Sequence, residues 1–113
     1  MKVSKGEIWL ANLNPVKQNN EMGKTRPVVI VQTDLLNHNG YPTTIILPLT
    51  TDLIDDAWPL RLRIPKRDHL GKDSDIVLTQ IRAIDNARFM QKLGVLEANE
   101  WQSLKMLFEE IVF

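Results

Sequence analysis

Pro27-Val28-Val29-Ile30-Val31-Gln32 is apolar at successive positions, so whatever element it forms must be buried on both faces. Its β-branched residues favour a strand at the centre of a sheet, with proline tolerated at the first position. A chain built around such a strand needs partners on both sides. Glu7-Ile8-Trp9-Leu10-Ala11-Asn12-Leu13 mixes apolar and polar residues ahead of the turn signal Asn14-Pro15 and is expected as a first strand. Val16 to Thr25 is polar, holds one glycine and has no usable period, which predicts a long loop of the kind that often carries function. Thr33-Asp34 caps a short helical turn through Asn37, Asn39-Gly40 turns the chain, and Thr43 to Thr50 forms the third strand.

Residues 51–59 are acidic, end at Trp58-Pro59 and predict a second exposed loop. Leu60-Arg61-Leu62-Arg63-Ile64 then alternates with period two, its leucines inward and its arginines outward. Lys66 to Asp75 reads as a charged connection. Ile76 to Ile84 reads as a strand bent or bulged near its middle, followed by a short strand around Phe89 to Lys92 and a turn at Gly94. Finally, Trp101, Leu104, Leu107, Phe108, Ile111 and Val112 recur at three- and four-residue steps, an amphipathic helix with Glu100, Gln102, Lys105, Glu109 and Glu110 on its polar face. The expected architecture is mainly β, a strongly curved antiparallel sheet or small barrel closed by one C-terminal α-helix. With 113 residues and 43% hydrophobic content, one core is affordable and two are not, so residues 1–113 are expected to form a single domain.

Composition narrows the function classes. The absence of cysteine removes disulfide frameworks and thiolate zinc sites and makes a reducing cytoplasm the expected setting. The N-terminal Met1-Lys2-Val3-Ser4-Lys5 lacks the apolar run of a signal peptide, and no stretch approaches the roughly 20 apolar residues that span a bilayer. Formal charge is zero, but residues 1–96 carry thirteen Lys+Arg against ten Asp+Glu and residues 97–113 one against four. The mildly basic body permits a polyanionic partner without requiring one.

No cluster at metal-ligand spacing, glycine-rich phosphate loop or G-x-S-x-G motif is present, so neither a metal nor another cofactor is expected. His38 and His69 each stand in a polar, turn-rich segment and read as solvated loop residues. Arg26 is more informative. It precedes the apolar central strand, five residues after Glu21, where a permanently charged guanidinium could hold a non-bridging phosphate oxygen and stabilise a phosphorane-like transition state. The alternative is a strand-edge arginine paired with Glu21 or lying over Trp9. Thr50 ends the third strand with a hydroxyl that could reach the same phosphate, or serves only as a turn residue. Thr79 and Gln80 place polar groups inside an otherwise apolar strand, as a core network or a binding surface.

Lys5-Gly6-Glu7-Ile8-Trp9-Leu10, Leu13-Asn14-Pro15, Glu21 with Arg26-Pro27-Val28-Val29, Pro48-Leu49-Thr50 and Gln80-Ile81-Arg82-Ala83-Ile84-Asp85 together resemble the MazF/PemK/Kid family of toxin ribonucleases over essentially the whole chain. The resemblance implies an SH3-like small β-barrel with a C-terminal helix, the plasmid-toxin fold shared with CcdB. It further implies a two-fold homodimer with an RNA groove across its interface, and a cognate antitoxin whose acidic tail covers that groove. It puts the catalytic roles on Arg26 and Thr50, and a base, contact or orienting role on Glu21. The implied activity is sequence-specific, metal-independent cleavage of single-stranded RNA through attack of the 2′-hydroxyl, leaving 2′,3′-cyclic phosphate and 5′-hydroxyl ends. Base contacts are then expected from the loop around Lys17, Gln18 and Asn20, from the loop Thr51 to Asp56, and from Thr79 and Gln80. Two positions depart from the pattern: Asn20 stands where some members have histidine, and Thr79 where many have a carboxylate, which excludes a carboxylate-dependent mechanism there. Two other readings remain, a non-enzymatic toxin of the same fold acting on DNA gyrase through its terminal helix, and a member that has lost catalysis and only binds.

Overall fold

The computed structural model of the protein describes residues 2–13 and 24–113. Seven strands appear in the order β1 (Glu7–Asn12), β2 (Thr25–Ile30), β3 (Thr43–Thr50), β4 (Arg61–Ile64), β5 (Ser74–Val77), β6 (Arg82–Asp85) and β7 (Phe89–Val95). A short helix α1 (Asp34–Asn37) lies between β2 and β3, and a longer one, α2 (Ala98–Val112), ends the chain. Every pairing is antiparallel, and the path across the sheet is β4-β5-β3-β2-β1-β7, with β6 also on β3.

β2 is central, as its two-sided apolar run requires, because alternate residues feed different cores. Val29 joins Ile8, Leu47, Leu49, Ile64, Ile76 and Leu104 in the cluster covered by α2. Val28 and Ile30 join Trp9, Ala11, Ile46, Ile84 and Phe89 on the opposite face. The Trp9 and Phe89 rings meet edge to face at 6.0 Å.

Curvature concentrates in β3, which changes partners along its length. Residues 43–46 pair with β6 and residues 49–50 with β5, while on the other edge residues 46–48 pair with β2. Pro48 stands at the changeover, where strand alternation directs its missing N–H into the gap between β5 and β6. On the facing edge, Pro27 directs its own missing donor past the point where the β2–β3 ladder stops at Val28↔Pro48. Both prolines therefore sit where no ladder bond is lost. Pro27 is the third residue of its strand rather than the first. The curvature expected of an SH3-like barrel is present, but the sheet stays open: β4 and β7, its two ends, are not paired among the described residues.

The bend expected within residues 76–84 is a full interruption, a 3-10 turn over Leu78–Gln80 separating β5 from β6. Asp75 belongs to β5 rather than to a charged connection, and Gly94 lies within β7 rather than in a turn. A Cβ at Gly94 would come within 3.2 Å of Arg67 Cγ, a tight contact that glycine avoids. Leu62 and Ile64 turn inward as expected, whereas Leu60 lies outside β4 and is exposed.

Helix α2 opens with a reciprocal capping box in which the Glu97 backbone N–H donates to Glu100 Oε1 at 2.8 Å. Glu100 is not a solvent-facing residue of the polar stripe. It forms a two-pronged pair with Arg67, whose Nη2 donates to Oε2 at 2.6 Å, and this ties the helix start to the turn between β4 and β5. Hydrogen bonding to Arg67 lowers the Glu100 carboxyl below the usual carboxylate range despite burial. Leu104 and Leu107 are buried and Trp101, Phe108 and Ile111 pack beside them, but Val112 is exposed. No described helix is long and apolar enough to cross a membrane.

Candidate nucleic-acid interface

The β2–β3 register pairs Val28 with Pro48. Continued by two residues, it sets Arg26 beside Thr50 on one face of the sheet, because directly opposed residues share a face. Arg26 Nη1 donates to the Leu49 carbonyl oxygen at 3.4 Å, so the guanidinium does lie over the end of β3. Ala11 flanks Arg26 on β1, Thr50 pairs with Asp75 on β5, and Asp75 pairs with Arg63 on β4. The result is a transverse row, Ala11, Arg26, Thr50, Asp75 and Arg63, running across five strands of the sheet.

Arg26 is half-buried, and its removal from water lowers its pKa from the ordinary arginine value. Arginine remains a cation in proteins, so this partial desolvation makes it an attractive position for an anion. Thr50 Oγ1 accepts the Asp52 backbone N–H at 3.1 Å, which forms the first turn of the loop after β3. Among the described residues its own hydroxyl proton meets no acceptor and can turn to a ligand oxygen.

Asp75 organises the remainder of the row. Its side chain is 1% exposed, and Arg63 Nε donates to Oδ1 at 2.9 Å while Arg61 Nη1 donates to Oδ2 at 3.2 Å. The Ile54 N–H donates to the same Oδ2 at 3.0 Å, and Arg61 also donates to the Asp52 carbonyl oxygen at 2.9 Å. The loop holding residues 51–56 is therefore fastened onto the strands next to Thr50. Burial pushes the Asp75 carboxyl upward, but the bonds from Arg63, Ile54 and Arg61 outweigh it and hold the group below the usual range.

The other expected site residues divide into two sets. Thr51 is exposed beside Thr50, Thr79 is exposed and Gln80 half-buried in the 3-10 turn that packs against β3. Lys17, Gln18, Asn20 and Glu21 lie outside the described residues. The sequence reading missed Asp75 together with Arg61 and Arg63. The available signal was the same-face spacing of Arg61 and Arg63, which leaves two cations requiring an acid across the next hairpin.

His38 is not simply solvated. Its Nε2 lies 2.8 Å from Ser4 Oγ and 3.6 Å from Asp34 Oδ1, an arrangement with the composition of a serine–histidine–aspartate set. Both partners address the same ring nitrogen, so no proton relay crosses the imidazole. The contact instead braces the N-terminal segment on α1, together with the Lys5 N–H bond to Asp34 Oδ1 at 2.7 Å.

The family model described as PemK-like, MazF-like toxin of type II toxin-antitoxin system matches residues 4–112. The chain belongs to this toxin family. Among relatives of the family, the chain is 41% identical over 100 residues to an endoribonuclease MazF from Staphylococcus epidermidis, covering 87% of this chain and 81% of that protein. Its fold matches that of MazF from Deinococcus radiodurans with a TM-score of 0.78, at 18% identity over 99% of this chain and 97% of that one. It also matches the Mycobacterium tuberculosis toxin MazF-mt6 with a TM-score of 0.75, at 17% identity over 92% and 93% of the two chains. A further match is a mycobacterial endoribonuclease solved in complex with its cognate antitoxin, at TM-score 0.72 and 14% identity over 96% and 91%. Family membership thus rests on sequence, and the distant structures establish the shared fold.

Proposed function

We propose that the protein is an endoribonuclease of the toxin–antitoxin type that cleaves single-stranded RNA at the Arg26–Thr50 end of the polar row. The observation that carries this reading is the placement of a partly desolvated guanidinium and a free hydroxyl donor side by side on adjacent strands. The name of the 41%-identical relative supports the substrate class.

In the reaction the RNA's own 2′-oxygen attacks the adjacent phosphorus, the bond from phosphorus to the 5′-oxygen breaks, and a 2′,3′-cyclic phosphate and a 5′-hydroxyl result. The proton lost from the 2′-hydroxyl passes to Glu21 or to water, and the departing 5′-oxygen takes up a proton from water. Arg26 neutralises the charge that builds on the non-bridging oxygens, and Thr50 holds the phosphate in line. An arginine is too weak an acid to be the proton donor, so its part is electrostatic. Thr51, Thr79 and Gln80, with Lys17, Gln18 and Asn20, supply contacts to unpaired bases.

The test is incubation with a long single-stranded RNA in excess EDTA, beside Arg26→Ala and Thr50→Ala, with end-group analysis of the fragments. Defined fragments with cyclic phosphate ends, lost in both variants, are expected. Intact RNA across several sequences would shift the reading to a gyrase-directed toxin or a binding-only member.

The active form in this reading is a homodimer in a cytoplasmic setting, held inactive by a cognate antitoxin. An apolar groove of about 220 Å³ between α2 and the sheet, lined by Val31, Ile45, Leu47, Ile81, Trp101 and Phe108, supports the dimer, since Ile45 and Ile81 remain 38% and 40% exposed at its rim. Mass measurement in dilute solution is expected to give two chains, and one chain after Ile81→Glu. Single-chain mass with cleavage intact would remove the shared-groove arrangement.

A further inference from the structure

Asparagine is chemically labile where the backbone nitrogen of the next residue can close on its side-chain carbonyl carbon, which needs that nitrogen unbonded and the side chain free to turn. Five asparagines are described, and four fail this requirement because the following N–H is already engaged. After Asn12, the Leu13 N–H donates to the Lys24 carbonyl oxygen at 2.8 Å, and after Asn37 the His38 N–H donates to the Asp34 carbonyl oxygen at 2.9 Å. After Asn86, the Ala87 N–H donates to Asp85 Oδ1 at 2.8 Å, and after Asn99 the Glu100 N–H donates to the Glu97 side chain in the capping box. The amides of Asn37 and Asn86 are also held at both ends, by Gln32 and Asp34 and by Thr44 and Tyr41.

Asn39 differs on each count. Among the described residues the Gly40 N–H has no acceptor and Asn39 Oδ1 has no donor. The exposed side chain is held only through Nδ2, which donates to the Leu35 carbonyl oxygen at 2.6 Å. Gly40 has φ +78°, and a Cβ there would meet nothing within 4 Å, so neither a side chain nor a neighbour shields its nitrogen.

We propose that Asn39 is a site of spontaneous covalent modification, converting to aspartate and isoaspartate and thereby loosening α1. The bond from Gly40 N to Asn39 Cγ forms, the bond from Cγ to Nδ2 breaks, the Gly40 nitrogen gives up its proton, and Nδ2 leaves as ammonia. Water then opens the resulting cyclic imide. Opening at Cγ gives aspartate, and opening at the backbone carbonyl carbon gives isoaspartate, so the net reaction exchanges ammonia for water and needs no other reactant. A carboxylate at this position cannot donate to the Leu35 carbonyl, and isoaspartate adds a backbone atom between α1 and β3. The joint matters because α1 holds the N-terminal segment through the Lys5 N–H bond to Asp34 and holds the end of β2 through the bonds between Asn37 and Gln32. It is remote from Thr50, since the eight residues of β3 alone extend roughly 23 Å.

The test incubates the folded protein at mildly alkaline pH beside a synthetic peptide of residues 36–42, which calibrates the unrestrained reaction. Peptide mass mapping and enzymatic methylation of isoaspartate are the readouts. The fragment holding Asn39 is expected to lose its amide and split into aspartate and isoaspartate forms. Fragments holding Asn12, Asn37, Asn86 and Asn99 are expected to keep theirs, and Asn39→Gln to show no conversion at position 39. Asn39→Asp is expected to melt about 2–6 °C below wild type, the scale of one lost hydrogen bond. Asn39 left intact in the folded protein after the synthetic peptide has converted, or conversion of any of the other four at an equal rate, would overturn the modification site. Equal melting of Asn39→Asp and wild type would overturn the loosening of α1.

Discussion

Arg26→Ala is expected to lower kcat for RNA cleavage by about 10²- to 10³-fold or more, the scale seen when one preorganised group facing a developing oxyanion is removed. The size of the effect follows from position. The guanidinium sits over the Leu49 carbonyl at the end of β3, partly withdrawn from water, so its field on a bound phosphate is screened less than that of a fully exposed arginine. Arg26→Lys is expected to recover only part of the rate, since an ammonium supplies charge without the planar pair of donors that grips two phosphate oxygens. Thermal melting of each variant separates lost chemistry from lost fold. Full cleavage by a folded Arg26→Ala protein would make the arginine structural and the mechanism wrong.

Asp75→Asn is expected to cost about 2–3 kcal/mol of stability, toward the low side for breaking a buried ion pair because Arg63 is substantially exposed. For a chain of this size that corresponds to a fall in Tm of roughly 10 °C. The amide leaves two arginines facing a group that no longer offsets their charge, and it loosens the Ile54 anchor. The pH dependence carries a definite sign. The folded-state carboxyl lies below its unfolded value of about 3.9, so the ionised form favours folding. The stabilisation is complete above that value and disappears as pH falls through the lower folded value. Wild type and Asp75→Asn should therefore differ most near neutrality and converge in melting temperature below about pH 4. Parallel curves down to pH 2 would show that Asp75 does not carry this increment. Because the same carboxylate fastens the loop beside Thr50, the variant is also expected to cleave less well at temperatures where it is still folded.

Legibility in the sequence tracked how local each signal was. The strand Thr43–Thr50 and the cap of α1 by Thr33 follow from β-branched patterning and a single hydroxyl, and the structure has both where the sequence places them. The six-residue apolar stripe of α2 is correct except at Val112, which is half exposed in the last turn of the helix. The open edge between β4 and β7 was not legible, because closure depends on the accumulated curvature of all the strands and not on any one of them. Glu100 was misplaced on the solvent face because its partner Arg67 lies 33 positions away.

By itself, the sequence determined the class of the fold and the chemical character of its proposed site: a two-faced central strand, a terminal amphipathic helix, and an arginine and a threonine each at the end of a strand. Those follow from period, β-branching and turn residues, which act over a few neighbours. Only the tertiary structure decided that Arg26, Thr50, Asp75 and Arg63 lie in one row, and that Asp75 is a buried anchor and not a loop charge. Strand register is responsible. A shift of one residue between β3 and β5 would turn Asp75 to the other face and disperse the row, and that choice is made by packing both cores at once.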